Sequence, residues 1–165
     1  MTSDQQNKQL KLTNILLKIP VPWVFVLAYL MGLLLQYIFP YQLQSQETVS
    51  FINIAGYMLF AIGVFFAAWS LLIFHKARTT TTPGESSVKL VTWGPYRFSR
   101  NPMYVSLILC YLGEAGFLVH LWPVLVLPLM LAYVDRIVIP LEEGILKNDF
   151  KEEYEVYCTR VRRWL

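Results

Sequence analysis

Residues 20–39 form an apolar run of 20 residues broken only by Gln36, and residues 51–74 form a second run of 24. A helix of about 20 apolar residues spans the ~30 Å hydrocarbon core of a bilayer. Two shorter runs, 102–117 and 123–139, bring the expected number of spans to four. Composition agrees: 15% of residues are charged, against about 25% in soluble domains, so an ordinary soluble fold is excluded. With 165 residues, the chain has room for a single domain, 1–165. The sequence therefore predicts an all-α integral membrane protein: a four-transmembrane-helix bundle with a C-terminal amphipathic helix.

The first run is too long for a signal-peptide core, and no small-x-small cleavage pattern follows it, so a retained anchor is expected. Trp23 and Tyr37 lie near its ends, where amphipathic rings favour the headgroup layer. Residues 40–50 read as a polar loop. In the second run, Gly56, Ala61, Gly63, Ala67 and Ala68 are small enough to admit a close helix partner. Segment 79–87, with its Thr run, reads as mobile. The third span is expected to start at Asn101-Pro102, because Asn is a favoured helix cap and Pro a favoured first residue.

Residues 118–122 read as a tight turn before the fourth span. Pro140 removes a backbone donor and frees the carbonyl of Arg136, which predicts a kink redirecting Glu142 and Glu143. Beyond it, Phe150, Tyr154, Tyr157, Val161 and Trp164 recur at steps of 4, 3, 4 and 3, one face of a helix. That face is expected to lie on the membrane surface or to cap the bundle.

The 14 basic residues divide among three regions, with 3 before the first span, 5 between the second and third, and 6 at or after the end of the fourth. The loops at 40–50 and 118–122 have none. The positive-inside rule then places both termini and the 75–100 loop in the cytoplasm. Spans three and four become a hairpin, which brings residues 90–104 beside Arg136, Glu142 and Glu143.

That junction is the expected site. The start of span three offers free backbone N–H groups and a positive dipole end, which attract a carboxylate or phosphate. Arg97 and Arg100 add charge, and Gly94-Pro95 allows a tight turn close to a ligand. A plain interfacial loop touching lipid phosphates would carry the same residues. Glu142 and Glu143 suit a ligand ammonium, or simply a solvated helix end. Asp135 and Arg136 lie at membrane depth, where charge needs a cavity or a partner. Arg136 and Glu143 are seven apart and can share a face, either as a site or as a structural ion pair. Glu114, near the outer side, suits a direct role or a solvated headgroup position. His75 and His120 lie at opposite ends of the bundle and cannot share a metal. Cys110 and Cys158 give neither metal spacing nor a disulfide framework. The basic residues follow topology and form no stripe, so no nucleic-acid role is expected.

The motifs Leu90-Val-Thr-x-Gly-x-Tyr96, Arg100-Asn-Pro-x-Tyr104 and Glu142-Glu-x-x-Leu146-x-x-x-Phe150-x-x-Glu-Tyr154-x-x-Tyr157 resemble the isoprenylcysteine carboxyl methyltransferase family. Its wider group includes phospholipid methyltransferases. The resemblance covers roughly residues 50–164. It implies an S-adenosylmethionine site at the cytoplasmic end of the last two spans. By position, Lys89, Leu90, Val91, Tyr96, Asn101, Pro102, Met103, Tyr104 and Glu142 would line it, beside the Gly94 and Arg100 already singled out.

Three departures stand out. Asn101 replaces a common His and cannot act as a base. Lys151 replaces a common Gly, read as a surface change. The family's substrate Arg lies a few residues before the Glu pair, and the nearest here is Arg136. The implied reaction is methyl transfer to a lipophilic or small acceptor, with Arg136 holding an anionic acceptor and Glu143 or Tyr104 as candidate bases. The rival readings are a lipid-binding protein without catalysis and a sterol-reductase-like enzyme using NADPH.

Overall fold

The computed structural model describes residues 20–41, 43–77 and 89–165. Lys8, Lys11, Lys18, Arg78 and the Thr-rich segment expected to be mobile lie outside the described residues. Among the described residues, all regular structure is helical. Helix α1 is Val21–Ile38, α2 is Gln46–Ala77, α3 is Pro102–Phe117, α4 is Leu121–Tyr133 and α5 is Ile139–Arg160. A short 3-10 turn, Gly94–Arg97, precedes α3, and a π turn, Val134–Val138, joins α4 to α5.

Helix α1 carries Pro22 in its first turn, where a missing N–H costs nothing. Helix α2 has 32 residues, about 48 Å at 1.5 Å per residue. It takes in residues 46–50, expected as loop, with Glu47 placed at the positive end of its dipole. Helix α3 starts at Pro102, as the Asn-Pro pair predicts, but the Asn101 side chain makes no cap bond. The turn after α3 is tight: Val119 takes a positive φ of 55°.

Three stretches are long and apolar enough to cross a membrane: Val21–Ile38, Gln46–Ala77 and the continuous Leu121–Arg160. Helix α3, with 16 residues, reaches only about 24 Å. The third expected span is therefore shorter than the other three. Pro140 causes no break of its own. It sits in the first turn of α5, directly after the π turn, so its missing donor falls where the ladder is already shifted. The true interruption comes later, at Lys151, whose φ of 45° and ψ of −117° are not helical.

The helices pair as α2 with α3 and α1 with α4. The expected α3–α4 hairpin has the lesser contact. In the α2–α3 pair the backbones nearly touch. A Cβ on Gly56 would lie 2.3 Å from Phe117 N, and one on Gly113 would lie 2.5 Å from Phe60 N. Gly63 and Ser70 continue that seam, both buried. Ala61 and Ala68 point outward, so the interface uses a spacing of seven and not every small residue. Gly32 meets Pro123 in the same way where α1 crosses α4.

Between the two pairs lies the main core: Val21, Phe25 and Tyr29 from α1, Tyr104, Tyr111 and Ala115 from α3, and Leu127, Met130, Val134, Val138 and Ile139 beyond. Outward faces remain apolar, with Leu27, Leu30, Ile54, Met58, Phe65 and Leu72 all more than half exposed. Surface of that kind marks contact with lipid or another apolar phase, and this is a membrane protein.

Candidate active site

Residues 89–104 wrap one end of the α2–α3 pair. Leu90 and Val91 are buried, and Leu90 packs with Tyr154 and Tyr157 of α5. Gly94 has φ 65°, a left-handed conformation that glycine adopts without penalty. A Cβ there would also press on Ile73 at 2.9 Å, so α2 seats the turn closely. Pro95 and Tyr96 are buried in the 3-10 turn. The Tyr96 carbonyl accepts from the Tyr157 hydroxyl at 2.7 Å, and the Tyr96 ring stands edge-on to Phe74 at 5.2 Å.

The amphipathic face of α5 thus caps the bundle end. Phe150, Tyr154, Tyr157 and Val161 close over this loop, while Trp164 reaches the main core.

Two halves meet here. The Tyr104 hydroxyl donates to Glu142 Oε1 at 2.6 Å across 38 positions of sequence. Burial pushes the Glu142 carboxyl above its usual range. The Tyr104 hydrogen bond works against that push, and the neighbouring Glu143 charge adds to it. Arg100 Nη2 pairs with Glu143 at 3.2 Å, and its Nη1 donates to Cys158 Sγ. Arg100 Nε is buried with no partner among the described residues, an unmet cationic donor inside the site. Asn101 turns its amide to the carbonyl of Arg163 at 3.0 Å. Pro102 is buried and Met103 half-buried at the first turn of α3. Lys89 stays exposed, its ammonium 5.2 Å from the centre of the Trp93 ring.

Arg136 is placed differently from the expected shared face with Glu143. Its side chain is 83% exposed, and it pairs with Asp135 at 3.8 Å. The π turn explains this. One extra residue in the turn rotates everything after it by about 100°, so the i to i+7 rule of a regular helix fails across it.

Glu143 is instead held by Arg163, whose Nη2 lies 2.7 Å from Oε2. Arg163 also reaches Asp135 at 3.4 Å. Sequence reasoning gave Arg163 only a topological role. Its signal was the neighbouring Trp164, which completed the apolar face and so tied residues 161–164 to the bundle. Lys151, expected as a surface change from glycine, is exposed but also takes a positive φ, a conformation that glycine favours.

Residues 51–153 match the phospholipid methyltransferase family. This is more than half of the chain, and the chain belongs to that family, the isoprenylcysteine carboxyl methyltransferase-like group. Membership indicates a methyltransferase. No curated protein and no solved structure matches the chain.

Proposed function

We propose that this protein transfers the methyl group of S-adenosylmethionine to a lipophilic or small acceptor at the cytoplasmic membrane face. The observation that carries the reading is the pair formed by buried Tyr104 and half-buried Glu142, set in one site with an Arg100 Nε that has no partner among the described residues. The amino-acid end of the cofactor is a zwitterion. Glu142 suits its ammonium, and Arg100 with the start of α3 suits its carboxylate. Leu90, Val91, Tyr96, Asn101, Pro102, Met103 and Tyr104 would complete the lining, with Gly94 shaping the turn and Lys89 at the rim. When bound, the cofactor supplies an activated methyl group.

The chain's own part is positioning and exclusion of water. Tyr104 keeps Glu142 oriented. Glu143 is taken up by Arg100 and Arg163, so it is a poor base for an acceptor. Asn101 cannot serve as one. An acceptor that needs no deprotonation, a carboxylate above all, fits this site better than a thiol or an amine. We assign exposed Arg136 to meeting an anionic acceptor that arrives from the lipid side. The four-span arrangement with both termini cytoplasmic follows from the charge distribution, with α3 as a short fourth member shielded by α2.

The family match supports neither rival reading. Titration of the detergent-solubilised protein with S-adenosylmethionine tests the proposal directly. Micromolar binding, weakened at least tenfold by Tyr104→Ala or Glu142→Ala, is expected. Undetectable binding would end it. Methyl transfer to a panel of carboxylate, thiol and amine acceptors then identifies the class, and Arg136→Ala with unchanged turnover of every acceptor removes Arg136 from its role.

A further inference from the structure

The segment after α5 does more than end a helix. At Val161 the backbone becomes extended, with φ −125° and ψ 130°, and the chain runs against the start of α3. Two of its carbonyls are held there. Arg162 O accepts from the Arg100 backbone N–H at 2.9 Å. Arg163 O accepts from Ser99 Oγ at 3.1 Å and from Asn101 Nδ2 at 3.0 Å. Ser99 is itself buried, and its hydroxyl also accepts from the Asn101 backbone N–H at 3.0 Å.

The side chains of the same segment face the other half of the site. Arg163 bridges Glu143 and Asp135. Trp164 Nε1 donates to Asp135 Oδ1 at 2.9 Å, and its ring packs on the main core. Asp135 lies inside the π turn, and Glu143 lies beyond it, one residue from Glu142. A π turn is an uncommon local geometry that its surroundings must hold in place. Here one guanidinium grips an acid within the turn and an acid after it. Its planar fork reaches both carboxylates at once, which a lysine ammonium cannot do with the same geometry.

We propose that Val161–Leu165 is a latch that assembles the site, with Arg163 as its positioning residue. Its backbone fixes the Ser99–Asn101 segment of the site, its side chain fixes the rotation of the helix that carries Glu142, and Tyr104 meets Glu142 because both are held. The effect on cofactor affinity rests on the methyltransferase reading; the effect on the fold does not.

Hydrogen exchange on the full chain in detergent, paired with S-adenosylmethionine titration, tests this for wild type, Arg163→Ala and Arg163→Lys. In Arg163→Ala, amides at 99–105 and 134–145 should exchange at least tenfold faster, with those at 55–65 unchanged, and cofactor affinity should fall at least tenfold. Arg163→Lys should fall between on both readouts. Exchange and affinity within twofold of wild type in both variants overturn the latch, as does uniform acceleration along the whole chain. If Arg163→Ala does not fold, Arg163→Lys decides alone, and wild-type behaviour in it overturns the proposal. If even wild type binds no cofactor while the local exchange difference persists, the cofactor reading fails and the latch stands.

Discussion

The two ends of the bundle use polar side chains differently. At the end where α2 begins, they close backbone. Asn53 Nδ2 donates to Phe117 O at 2.7 Å, Trp122 Nε1 to Phe39 O at 2.7 Å, and Gln36 Nε2 to Tyr41 O at 2.9 Å. Each spends a neutral side chain on a carbonyl at a helix end or turn. At the other end, Ser99, Asn101 and Tyr157 also close carbonyls, but carboxylates are added as acceptors: Glu142 takes Tyr104, Glu143 takes Arg100 and Arg163, and Asp135 takes Trp164 and Arg163. Backbone closure needs no charge. An assembly of part-buried acids and guanidinium groups is costly to form, which is why we propose the binding site at that end. One end is closed by neutral groups alone, and the other carries the charged groups of the proposed site.

Substitutions can break that contrast. The largest expected effect lies in the scaffold common to both ends. Gly56→Ala forces a Cβ into backbone atoms that cannot yield, and should cost about 3 kcal/mol, measured by thermal unfolding in detergent. If its melting temperature matches wild type, the close α2–α3 approach is not what holds the pair together.

Next comes Glu142→Gln, which keeps shape and removes charge. It should weaken cofactor binding by about 10- to 100-fold, roughly 1.4 to 2.7 kcal/mol, by calorimetry. The folded protein holds the Glu142 proton to a higher pH than the unfolded chain does. Its charge therefore costs stability above that range, and the cost is relieved as pH falls toward the ordinary carboxylate value of about 4.3. A cofactor ammonium needs the charged form, so affinity should drop as pH falls through the same interval. In Glu142→Gln that pH dependence should vanish.

A smaller effect of opposite sign is expected at Lys151, where a lysine occupies backbone geometry suited to glycine. Lys151→Gly should raise stability by about 1 kcal/mol or more, read from the melting temperature. The smallest effect separates the two ends most cleanly. Asn53→Ala should cost about 1 kcal/mol in stability and leave cofactor affinity unchanged. A change in affinity would mean that the closing end is coupled to the site.

Much of the fold was written in simple periodicities. Apolar runs located the helices, Asn101-Pro102 located the start of α3, and the step pattern from Phe150 to Trp164 located the face that caps the loop. The meeting of residues 90–104 with Glu142 was likewise legible, because topology alone brings those segments to one end. The π turn was not. Val134–Val138 carries no residue pattern that specifies such a turn, and the Asp135 contacts that brace it are tertiary. Missing it exchanged Arg136 for Arg163 as the partner of Glu143. Helix pairing was also hidden, because glycine spacing shows that a close partner exists but not which helix supplies it.

Helix α2 is about 18 Å longer than a ~30 Å hydrocarbon core requires. Its far end, through Trp69, Ile73 and Phe74, is what Gly94 and Tyr96 rest upon. The loop rests on the last turns of that helix, so any tilt of the helix carries the loop with it. Bilayer thickness thereby becomes a lever on the height at which the loop stands, and turnover in short- and long-chain vesicles reads that lever.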